Sequence, residues 1–212
     1  MALCALALGV GGCATDQEAA ITPATVDASG LPVVAPMQDG DQVAGVPAGF
    51  IAFCLRTPDQ CAEPKDGLKT IALTPLTWEL LQHVNQTENE DIRQVDDEAH
   101  YGRADYWTVV TDGYGDCEDI ALTKRKDLID AGIPIGALRI AVVRTPELAR
   151  HAVLTVSTDH GDFVLDSRSG DVKGWSEVPY IWIERQDANQ AWAWDDLSHD
   201  SSPVMLALAQ QQ

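Results

Sequence analysis

The amino-acid sequence predicts an α+β domain in which one helix packs on an antiparallel sheet, and two observations carry that prediction. Gly115-Asp116-Cys117-Glu118-Asp119 is a loop-to-helix start. It leads into a helical pattern with Ile120, Ala121, Leu128 and Ala131 along one side, closed by Gly132-Ile133-Pro134. Beyond it the period drops to two. Ala137 to Val143, His151 to Ser157 and Phe163 to Asp166 read as strands, the last pair joined by the turn residues Asp159-His160-Gly161-Asp162.

Met1 to Cys13 is small and apolar and turns polar at Thr15-Asp16. It is too short to span a bilayer and reads as an export signal over 1–20. Val10-Gly11-Gly12-Cys13 resembles a lipobox, which would make Cys13 a lipid-bearing residue; plain cleavage is the alternative. Residues 21–46 lack either period and read as a flexible leader, ahead of a single domain over 47–196 and a loosely ordered tail over 197–212.

With 14 Lys+Arg against 33 Asp+Glu, the formal charge of -19 excludes nucleic acid and anionic membrane surfaces as partners. Export changes how the five cysteines are read. Cys4 and Cys13 belong to the signal. Cys54 and Cys61 enclose a turn-forming segment and read as a local disulfide, worth about 2–3 kcal/mol; the alternative is two free thiols. Cys117 is then the odd thiol.

Phe50 to Cys54 reads as a short extended segment and Leu68 to Leu73 as a strand. Thr74-Pro75 is a helix start, and Leu80, Leu81, Val84, Ile92 and Val95 carry one long helix or two short ones to about residue 95, with His83 and Asn85 on a solvated face. Residues 96–107 form a loop that sets aromatic residues beside charges. In the helix after Cys117, Lys124, Arg125, Lys126, Asp127 and Asp130 fall largely on the solvent side, and Asp116 is placed to cap the first turn. Val178 to Ile183 is strand-like, and Trp175, Tyr180, Trp182, Trp192 and Trp194 read as core closure, with a substrate wall as the alternative role for one of them.

Taken alone, Cys117 is as readily a small buried apolar residue as a nucleophile. At a helix start, however, unpaired N–H groups favour a thiolate. If Ser157 faces Asp162 across the turn, His151 and Asp166 fall on one sheet face, while Leu154, Val156, Phe163 and Leu165 share the other. A thiol, a base and a carboxylate that holds the imidazole are the parts of a nucleophilic triad, so Cys117, His151 and Asp166 are the candidate catalytic residues.

The run Tyr114-Gly115-Asp116-Cys117-Glu118-Asp119, with His151-Ala152-Val153-Leu154 and Val164-Leu165-Asp166 at these spacings, resembles the bacterial transglutaminase-like cysteine peptidases of the LapG-like periplasmic group. The resemblance covers about Pro47 to Trp194. It implies a papain-like, transglutaminase-like fold with the cysteine helix on an antiparallel sheet. It also implies Cys117 as nucleophile, His151 as general base and then acid, and Asp166 as orienter. It implies the Cys117 backbone N–H as one oxyanion donor and leaves the second unassigned, with Trp107 or a nearby loop residue as candidates. The resemblance further implies calcium beside the active site, here held by Asp116 and Glu118, and such an ion would relieve the repulsion those acids impose on a thiolate; the alternative is a helix start enriched in acids for its dipole.

The expected protein is therefore a monomeric, periplasmic cysteine protease acting on a protein or peptide substrate, such as a cell-surface adhesin, under a membrane-bound regulator. Transglutaminase-type acyl transfer and a non-catalytic envelope binding module are the alternatives.

Overall fold

A computed structural model describes residues 24–64 and 67–198. The export or lipoprotein signal and the tail from residue 199 lie outside the described residues. In chain order the elements are β1 (Thr25–Val26), β2 (Pro32–Val33), β3 (Gln42–Val43), α1 (Ala48–Arg56), α2 (Pro75–Asp91), β4 (Arg93–Gln94), α3 (Asp97–Tyr101), β5 (Tyr114–Gly115), α4 (Cys117–Asp130), β6 (Leu138–Arg144), β7 (Arg150–Thr158), β8 (Gly161–Leu165), β9 (Lys173–Gly174), β10 (Ile181–Gln186) and β11 (Trp194–Asp196).

Seven strands form one sheet in the order β3-β11-β10-β6-β7-β8-β9, antiparallel at every pairing. Ser157 pairs with Asp162, so the sheet has the register that the alternation of apolar and polar residues predicts. Leu154, Val156, Phe163 and Leu165 join Phe50, Phe53, Leu81, Leu122 and Leu128 in the larger core, which sits between the helices and one sheet face. Val153 and Val164 point the other way, into a second cluster with Ala141, Val143, Trp182, Met37 and Leu197. Each large apolar side chain buried in these layers contributes about 1.5–3 kcal/mol.

Several expectations are corrected. Phe50 to Cys54 is helical rather than extended, because Phe50, Phe53 and Cys54 are buried at helical spacing on α1. Cys54 and Cys61 are disulfide-bonded across the end of that helix. Residues 68–73 contribute only an isolated bridge, Ile71 to Thr158, rather than a strand. The helix from Pro75 ends at Asp91, and Arg93–Gln94 pairs in parallel with Tyr114–Gly115 just ahead of Cys117.

The leader differs most. Over 24–46 it carries β1 to β3, buries Leu31 and Met37, and supplies the edge strand β3. Its polar anchor is an arginine pair that hydrophobic periodicity does not register. Asp39 Oδ1 accepts from Arg139 Nη1 at 2.6 Å and Arg185 Nη2 at 2.7 Å, and Met37 N donates to Asp162 Oδ2 at 2.8 Å. At the other end Leu197, expected in the loose tail, is buried.

Candidate active site

Cys117 is the first residue of α4, and the turn before it is shaped by a close approach. A Cβ on Gly115 would lie 2.8 Å from both Asp119 Cβ and Val110 Cγ2, so glycine is required there. The Asp116 side chain does not cap the helix as expected, and its Oδ1 is buried with no hydrogen-bond partner among the described residues. Its neighbour Asp119 is buried and accepts Thr108 N at 2.7 Å, which fastens the preceding loop to the helix start.

His151 lies near the start of β7, opposite Val143, and is 6% exposed. Its Nε2 is 2.7 Å from Asp166 Oδ1, the residue directly after β8. The Arg168 backbone N–H donates to Asp166 Oδ1 at 2.9 Å, and the Tyr180 hydroxyl donates to Oδ2 at 2.5 Å. Burial opposes ionisation of Asp166, but the His151, Tyr180 and Arg168 hydrogen bonds outweigh it and hold the carboxyl below its usual range. An ionised Asp166 fixes the Nε2–H tautomer, leaving Nδ1 as the basic nitrogen. Tyr180, edge-on to the imidazole at 5.8 Å, was read from sequence only as a core aromatic.

Cys117 and His151 line one cleft of about 530 Å³, together with Trp107, Asp116, Glu118 and Arg150. The thiol donates to Glu118 Oε2 at 3.0 Å, and the Ala152 backbone N–H donates to Sγ at 3.4 Å. Burial pushes the thiol well up, the charge and hydrogen bond of Glu118 push it further, and only the Ala152 N–H opposes them. Trp107 does not offer its indole N–H to the cleft, because Nε1 donates to Asp105 Oδ1 at 2.8 Å. Asp105 also accepts Gly49 N at 2.9 Å and so joins this loop to α1.

The acids beside the thiol form a cluster larger than the pair read from sequence. Ligand atoms of Asp97, Asp116 and Glu118 all lie within 4.8 Å of one another. Burial, then Glu118, Asp119 and Asp97, raise Asp116 to about 8, and burial first raises Asp119 to about 7. Asp97 is raised too, chiefly by burial, and its Oδ1 is likewise buried without a partner among the described residues. Hard oxygen donors held close together with unpaired buried lone pairs fit calcium. The sequence signal for Asp97 was the acidic run Asp96-Asp97-Glu98, but only the turn into α3 brings it to Asp116 and Glu118.

A family model described as bacterial transglutaminase-like cysteine proteinase, BTLCP, matches residues 41–202. The chain belongs to this family. It is a transglutaminase-like cysteine peptidase, an α+β fold whose substrates are proteins or peptides. Among solved structures it is similar to Legionella pneumophila LapG in the calcium-bound form, at 23% identity and a TM-score of 0.47 over 66% of this chain and 83% of that one. A second LapG structure matches at 24% identity and a TM-score of 0.49, over 66% and 81% of the two chains. The EGTA-treated form matches at 24% and 0.47, over 65% and 81%. No curated protein matches the chain.

Proposed function

We propose that this cysteine peptidase hydrolyses peptide amides through Cys117, His151 and Asp166. The observation that carries the reading is the 2.7 Å His151 Nε2 to Asp166 Oδ1 contact in the cleft that Cys117 also lines. Cys117 Sγ attacks the scissile carbonyl carbon as its proton passes to His151 Nδ1, and Asp166 stabilises the imidazolium at Nε2. The oxyanion is received by the Cys117 backbone N–H, one of the unpaired donors of the first helical turn. The imidazolium then gives its proton to the leaving amine, which departs and leaves a thioester on Cys117. Water, deprotonated by His151, attacks the thioester; the acid is released and the thiol restored.

Asp97, Asp116 and Glu118 are the residues we propose to hold calcium. When bound, the ion neutralises carboxylates that otherwise oppose ionisation of the thiol. The apolar run at the N-terminus supports export to the periplasm, with Cys13 available as a lipid anchor, and the family resemblance supports a cell-surface adhesin as substrate under a membrane-bound regulator. The reading is tested by incubating wild type and Cys117→Ala with extracted envelope proteins, with and without calcium, and reading new N-termini by mass spectrometry. Wild type alone should produce them, and more of them with calcium. Identical N-termini from both proteins would overturn the reading.

A further inference from the structure

The helix that begins at Cys117 carries a second buried functional group that the chemistry above does not use. Lys124 lies two turns along α4, on the same face as Cys117, and is completely buried. Burying an ammonium costs several kcal/mol unless it is paired and hydrogen-bonded. Here the partners are two neutral amides one turn apart on α2: Lys124 Nζ donates to Asn85 Oδ1 at 2.8 Å and to Asn89 Oδ1 at 2.6 Å. Burial lowers Lys124 to about 7, against the opposing charges of Asp166 and Glu88.

What the amides do with their other ends gives the cluster its meaning. With each Oδ1 held by the lysine, each Nδ2 is turned toward the chain that follows β8. Asn89 Nδ2 donates to Asp166 O and Ser169 O, both at 2.9 Å. Asn85 Nδ2 donates to Ser169 O at 2.8 Å and Gly170 O at 3.1 Å. Three backbone carbonyls of one turn are thus held by two side chains whose orientation is set by a single lysine amine. The first of those carbonyls belongs to the residue whose carboxylate meets His151.

We propose that Lys124, acting through Asn85 and Asn89, is a positioning residue for Asp166, which ties the helix that bears the thiol to the turn that bears the carboxylate. The inference rests on the reading of Cys117, His151 and Asp166 as one catalytic unit. Such a cluster transmits position rather than touching substrate, and its loss shows as a misaligned Asp166–His151 pair.

The test is a double-mutant cycle read on the thiol itself, with no need of the natural substrate. The rate of iodoacetamide alkylation of Cys117 at pH 7 in the presence of calcium is measured by peptide mass spectrometry for the full chain and for Lys124→Met, Asp166→Ala and the double variant. Lys124→Met should slow alkylation by about tenfold, short of the roughly hundredfold that a 1 Å misplacement of a reacting group can cost. In the Asp166→Ala background the same change should add less than about twofold, since groups that act as one unit are not additive. Asn89→Ala, at a partly buried position, carries the same cycle if Lys124→Met does not fold.

An equal loss from Lys124→Met with and without Asp166 would mean a structural role and overturn the inference, as would no loss at all. If Asp166→Ala itself leaves the rate unchanged, the catalytic unit is what fails. A slowing by Lys124→Met alongside it would then show that the lysine acts by some other route, which also overturns the inference.

Discussion

Asp166 is held at both oxygens inside a layer that excludes water, so each of its donors is measurable. Tyr180→Phe removes the hydroxyl that donates to Oδ2 and should destabilise the protein by about 1–3 kcal/mol at pH 7, the usual penalty for leaving a buried acceptor short of a partner. Urea unfolding reads the loss. The folded carboxyl sits below its unfolded value of about 3.9, so the stabilisation is present above that value and disappears as pH falls through the lower folded one. The gap between wild type and Tyr180→Phe should therefore narrow steadily below about pH 4. Equal unfolding midpoints at pH 7 would remove Tyr180 from the account. The acidic cluster has the opposite character, since Asp97, Asp116 and Glu118 repel one another when no cation is present. Asp116→Asn should raise the melting temperature of chelator-treated protein yet abolish the stabilisation that calcium gives wild type, about 2.7 kcal/mol at a hundredfold excess over Kd. A melting temperature that calcium leaves unchanged in wild type would count against the site.

At the scale of elements, α1 is packed so closely on the loop before the cysteine that a methyl group is too much. A Cβ on Gly49 would fall 2.2 Å from Trp107 Cδ1 and 2.9 Å from Asp105 Cγ. Gly49→Ala should cost about 1–3 kcal/mol through overpacking, and it should broaden the Trp107 environment in near-ultraviolet circular dichroism. An unchanged spectrum would mean that the loop yields freely. The same helix is ambiguous in the sequence. Its apolar residues were visible as a short cluster, but a run as brief as Phe50 to Cys54 has the same appearance on a helix or a strand. The pairing of β7 with β8 was legible because period-two alternation and the turn residues at 159–162 agree, and with it the shared face of His151 and Asp166. Lys124, Arg125 and Asn85 were read as solvated because charge and amides usually are. What buries them is tertiary: Arg125 Nη1 finds Gln60 O at 2.7 Å in the disulfide loop, and Lys124 finds α2, partners remote in sequence that no local pattern announces. Asp97 was missed for the same reason, since a short turn rather than any spacing brings it to Asp116 and Glu118.

For the molecule as a whole, the segment before the family-matched span packs against the sheet and completes one of its buried polar clusters. The match begins at residue 41, but the buried arginine pair is completed from upstream of it. Arg139 and Arg185 have 7% and 0% of their side chains exposed and share two carboxylates, Asp39 and Asp162. Removing Asp39 leaves two buried cations on one carboxylate, and removing Met37 with it uncovers the second apolar layer and takes the backbone donor from Asp162 Oδ2. A chain starting at residue 41 should therefore unfold at lower urea than one starting at residue 24, by about 3–5 kcal/mol, in the range expected for breaking a buried ion pair. Asp39→Ala alone in the full chain should reproduce part of that loss, less than the truncation because the Asp39 side chain is itself 61% exposed. Burial raises the Asp39 carboxyl, but the two arginines outweigh it and hold it below its usual range. The Asp39 share of the stability is thus present above about pH 4 and fades as the pH falls below it. If the two chain starts unfold together at pH 7, residues 24–40 lie on the sheet without supporting it.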